Sequence, residues 1–67
     1  MTRKTLEKLP ENVRNTVEGL KKHFKTLTDY HARYEMRERI AGYTDGLRDA
    51  GIVTDRERAI IYIYATL

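Results

Sequence analysis

The 67-residue chain has no cysteine, no tryptophan, one proline and four glycines, and no long apolar run. Without cysteine there is no disulfide framework, and zinc sites built on thiolates are excluded with it. The longest uninterrupted apolar run, residues 59–65, is seven residues, far short of the roughly 20 that span a bilayer. Met1-Thr2-Arg3-Lys4 is basic like the start of a signal peptide, but no apolar segment follows between Thr5 and Glu11. A cytoplasmic protein without membrane association is the expectation.

Catalytic signatures are also missing. There is no Gly-rich phosphate loop and no metal-binding His-Glu-x-x-His spacing. The two histidines, His23 and His31, stand eight residues apart and do not share the i, i+4 spacing of a ligand pair on a helix. His31 precedes Glu35 by four residues, an ordinary surface pairing. Glu35, Glu38, Asp45 and Asp49 each have an arginine, Arg39 or Arg48, within three or four residues, which reads as solvated ion pairs. The expectation is a protein that is not an enzyme, with no cofactor and no metal.

What remains is one small domain over residues 1–67. A chain this short buries only about 60% of the surface its unfolded form exposes, so tight helix packing or a partner chain must supply stability. Its net charge of +3 is unevenly distributed: residues 1–34 carry eight cations and four anions, residues 35–67 five and six. All five lysines lie in the first half, and the second half uses arginine alone. Lysine suits open, hydrated surface, whereas the planar fork of arginine suits partly buried contacts and interfaces.

Hydrophobic spacing predicts an all-α fold of three helices near residues 10–26, 29–50 and 55–66, with a turn or short helix over 1–9. Val13, Val17, Leu20, Phe24 and Leu27 form one stripe of the first helix. Pro10 suits its first helical position, Glu11 its first turn, and Glu18 is placed to pair with Lys21 and Lys22. Neither glycine nor proline separates Leu27 from Tyr30, so one helix running on to Ala50 is an alternative. A break is favoured, because the stripe changes phase and Thr28 can cap a helix beginning near Asp29.

The second helix carries Ala32, Met36, Ile40, Tyr43, Leu47 and Ala50 on one stripe, with Tyr30, Tyr34 and Ala41 on a neighbouring face. Gly42, Gly46 and Ala50 form a line of small residues. Each interior glycine costs a helix about 1 kcal/mol relative to alanine, which points to close approach by another helix, within the chain or from a second copy. Gly51 can then end the helix in the left-handed conformation, with Ile52 or Val53 covering its last turn, and Thr54 with Glu57 forms a capping box for the third helix. Ile61-Tyr62-Ile63-Tyr64 has strand propensity, but no second strand exists to pair with it. As a helix the segment is apolar nearly all round, and two other helices would hardly enclose it. Self-association is therefore expected through Ile60, Ile61, Tyr62, Ile63 and Tyr64, and through Gly42 and Gly46.

Two contact surfaces remain. Tyr30, Arg33, Tyr34 and Arg37 line one side of the second helix and belong to the residue types enriched in binding hot spots. Within a single chain they would instead divide, the tyrosines packing on the first helix and the arginines pointing to water. Arg14, Lys21, Lys22 and Lys25 give the first helix a basic face, the footprint of a nucleic-acid contact or simply a solvated surface. The leading expectation is a non-enzymatic protein-interaction module, a small regulator or inhibitor that occludes a larger protein, alone or as a homodimer. Nucleic-acid binding by the basic face is the alternative.

Overall fold

A computed structural model describes residues 2–67 of the chain. Four helices, α1 (Thr2–Glu7), α2 (Glu11–Thr26), α3 (Tyr30–Asp49) and α4 (Asp55–Ala65), are joined by short connections, with no strand among the described residues. The all-α expectation holds, and the count rises from three to four because the N-terminal segment forms a helix of its own. Thr5 and Leu9 are buried there, and α1 packs against α4.

Pro10 is the N-cap of α2 rather than its first helical residue: its ψ of 149° is non-helical, and its carbonyl accepts the Arg14 N–H at 2.9 Å. Val13, Val17 and Phe24 are buried along α2, with Leu20 partly so. The helix stops at Thr26, and Leu27 is extended. Asp29, not Thr28, caps α3: its carboxylate accepts the Ala32 N–H at 2.9 Å and its carbonyl the Arg33 N–H at 3.0 Å. The carboxylate thus performs the N-cap role expected of the neighbouring hydroxyl. One continuous helix over 10–50 is excluded.

The far end of α3 follows the expected chemistry. Gly51 has φ 77°, its N–H donates to the Arg48 carbonyl at 2.9 Å, and the Ile52 N–H donates to the Leu47 carbonyl at 2.9 Å, the paired bonds of a Schellman ending. Val53 is buried while Ile52 is exposed, so Val53 covers the turn. Thr54 and Glu57 form the reciprocal capping box, at 3.1 Å and 2.9 Å.

Two apolar clusters fill the bundle. Leu9, Val13, Val17, Leu47, Val53 and Ile61 form one, and Phe24, Met36, Ile40 and Ala65 the other. Helix α4 contributes to both and packs on α1, α2 and α3. The reason for expecting a second chain around α4 is therefore largely met within the molecule, since α1 supplies a third wall. Ile61 and Ala65 are fully covered, Ile60, Tyr62 and Tyr64 are half-buried, and Ile63 remains 57% exposed.

Gly42, Gly46 and Ala50 lie on the solvent side of α3, and a Cβ added to either glycine would meet nothing within 4 Å. The close helix crossing inferred from these residues does not occur within the chain. The buried stripe runs instead through Met36, Ile40, Thr44 and Leu47. Thr44 is tolerated there because its hydroxyl donates to the Ala41 carbonyl at 3.0 Å.

Candidate functional site

The short connection between α2 and α3 folds the start of α3 back along the end of α2. A helical hairpin centred near Thr28 brings residue 24 opposite residue 33. Phe24 is fully buried, and the Arg33 guanidinium carbon stands 4.2 Å from its ring centroid. Arg37, one turn further along α3, places its guanidinium 5.2 Å from the same ring. The Arg33 Nη1 also donates to the Leu27 carbonyl at 2.8 Å, closing the exposed end of α2. Both arginines are thus held over an aromatic ring while remaining half-exposed to solvent.

Neither Arg33 nor Arg37 forms an ion pair with a carboxylate among the described residues. Beside them, Tyr30 is 74% exposed and Tyr34 54%. Tyr30 stacks edge-on against His31 with centroids 5.8 Å apart. The division of labour is therefore opposite to the one expected within a single chain: the arginines fold inward and the tyrosines stand in solvent. The four residues Tyr30, Arg33, Tyr34 and Arg37 form one surface at one end of the bundle, with Phe24 as their base. The role of Phe24 was not anticipated, although a helix break at residues 27–29 is enough to place it opposite Arg33.

The basic face of α2 is less free than its sequence suggests. The Lys21 ammonium donates to the Tyr64 carbonyl at 2.8 Å and lies 4.2 Å from the Tyr64 ring centroid. The Tyr64 hydroxyl in turn donates to the Glu18 carboxylate, at 2.8 Å and 2.9 Å from its two oxygens. Glu18 accordingly pairs with Tyr64, not with Lys21 or Lys22, and the trio fastens α4 onto α2. The hydrogen bond to Glu18 raises the Tyr64 pKa above its ordinary value, with desolvation and the Glu18 charge acting in the same direction. Lys22 and Lys25 remain exposed and Arg14 is half-buried. With Asn15 and Gly19, the lysines and Glu18 border an open hollow along the helix.

The opposite end of the molecule is an ion-pair network. Arg48 reaches Asp55 at 3.2 Å, Asp49 at 3.3 Å and Asp45 at 4.0 Å, and Arg58 reaches Asp45 at 3.5 Å. Hydrogen bonds to Asp55 and then Asp49 hold Arg48 above its ordinary pKa against the opposing effect of burial. These pairs join the α3 and α4 ends in solvent, where each contributes little. No group of three or more potential metal-ligating side chains gathers among the described residues, and no helix is long and apolar enough to cross a membrane. No protein-family model, curated protein or solved structure matches the chain.

Proposed function

We propose that this protein is a binding module, a small regulator or inhibitor that docks on a larger protein through Tyr30, Arg33, Tyr34 and Arg37. The observation that supports this reading is the pair of exposed tyrosines beside two arginines fixed over Phe24. Exposed aromatic rings carried on a rigid helix lose little freedom when a partner covers them. Arginines already held in place by a ring and a carbonyl have less left to lose on binding.

Nucleic-acid binding by Arg14, Lys21, Lys22 and Lys25 is the rival reading, and it is weakened by the engagement of Lys21 with Tyr64. Self-association is a subordinate proposal, favoured by the exposure of Ile63 and of Leu67 beyond the end of α4. An 11-residue helix is about 16 Å long, and one such face is small beside the roughly 800 Å² per partner of a standard interface, so it supports weak pairing only.

Affinity capture from native lysate tests the main reading. Wild-type protein is compared with the Tyr30→Ala/Tyr34→Ala variant and with Lys22→Glu/Lys25→Glu. A protein retained by the wild type and the lysine variant but lost by the tyrosine variant is the expected result. Equal retention by all three would remove these tyrosines from the account, and nuclease-sensitive retention lost only by the lysine variant would favour the rival.

A further inference from the structure

We infer that the partner segment received by Tyr30, Arg33, Tyr34 and Arg37 is acidic, an inference that rests on the docking reading above. Two guanidinium groups stand over one buried phenyl ring, at i and i+4 on α3, with no carboxylate paired to either among the described residues. Like charges at this spacing oppose each other, and an anion bridging them relieves that repulsion. Arg33 commits one N–H to the Leu27 carbonyl, so most donors of the two groups remain for a ligand. Residues at i and i+4 of a helix stand about 6 Å apart, close to the separation of alternate side chains on one side of an extended segment. Two carboxylates at alternate positions match that spacing, and the exposed rings of Tyr30 and Tyr34 cover apolar side chains next to them.

Charge distribution favours an acidic protein segment over a nucleic acid. Residues 29–39 hold Arg33, Arg37 and Arg39 against Asp29, Glu35 and Glu38, three cations and three anions, so this stretch has no net charge. A polyanion running on along this stretch meets its carboxylates, whereas a peptide with two well-placed acids engages Arg33 and Arg37 alone.

The test is an NMR titration of the full chain with a terminally blocked Leu-Glu-Leu-Glu-Leu peptide, its Leu-Gln-Leu-Gln-Leu counterpart, and oligothymidylate. The glutamate peptide should produce saturable shifts confined to the amides of residues 30–37 and the side-chain Nε–Hε signals of Arg33 and Arg37. Its affinity should fall about tenfold from low to high salt. The glutamine peptide should leave the spectrum unchanged. Arg37→Gln, which spares the Leu27 bond and so the fold, should abolish the shifts while the rest of the spectrum stays native. An absence of shifts with the glutamate peptide, or shifts equally large with the glutamine one, overturns the inference. If a protein is still captured in a tyrosine-dependent way, the docking reading then stands without the acidic partner. Oligothymidylate moving the 30–37 signals where the glutamate peptide does not would overturn both.

Discussion

Phe24 is where folding and the proposed binding meet. Its ring closes one core cluster from inside, and its outer face carries Arg33 and Arg37. Phe24→Ala would remove a ring worth about 3–5 kcal/mol, comparable with the whole stability of a marginal domain, and should unfold the chain in a urea titration. Phe24→Leu, losing under about 1.5 kcal/mol, should stay folded while releasing both arginines, seen as line-narrowed guanidinium signals. Tyr64 offers a second residue-scale test. Its pKa is raised in the fold, so the stabilisation from its bond to Glu18 is fully present below its unfolded value near 10 and is lost as pH climbs through the folded value. The group is partly exposed, so Tyr64→Phe should cost only about 0.5–1 kcal/mol at neutral pH. That difference from wild type should close in strongly alkaline solution, and a gap independent of pH would contradict the assigned bond.

Among the elements, α3 shows most clearly what pattern alone reveals. Its ending was legible because Gly51, Thr54 and Glu57 each have a local chemistry that no distant contact overrides. Its beginning was legible as a break but not to the residue, since Thr28 and Asp29 are both capable caps and only the chain direction after Leu27 selects the carboxylate. The glycines misled because an exposed helical glycine and one under a crossing helix look identical in sequence. Their surroundings are open, so Gly42→Ala and Gly46→Ala should each stabilise the protein by roughly 0.5–1 kcal/mol in thermal or urea melts. A destabilised variant would mean that something packs on that face. The surroundings of α4 were illegible for another reason. A nine-residue lead-in with Met1, Leu6 and Leu9 as its only apolar residues gives little sign that it will form a wall.

The molecule as a whole exposes 4647 Å², close to the about 4,400 Å² expected for a monomer of its 7.9 kDa mass. Sedimentation at micromolar concentration should therefore give a monomer, unchanged by Ile63→Asp, and a tight dimer would contradict this account of how α4 is covered. Charge is divided between the two ends: carboxylates gather around Arg48 and Arg58, while Arg33 and Arg37, beside the exposed tyrosines, have no carboxylate partner among the described residues. That polarity was partly legible in the lysine-rich first half of the chain, but it misdirected attention to Lys21, whose ammonium is held by Tyr64. The candidate surface was legible as a set of four residues. Its geometry was not, because the inward turn of the arginines depends on Phe24 arriving from another helix. The central claim, that this end of the bundle docks a protein, is tested most directly by calorimetric binding of the purified captured partner to wild type and to Tyr30→Ala/Tyr34→Ala. Two hot-spot tyrosines predict a loss of affinity of about 30-fold or more with an unchanged melting curve, at about 1 kcal/mol or more each. Equal affinity for the two proteins would contradict it.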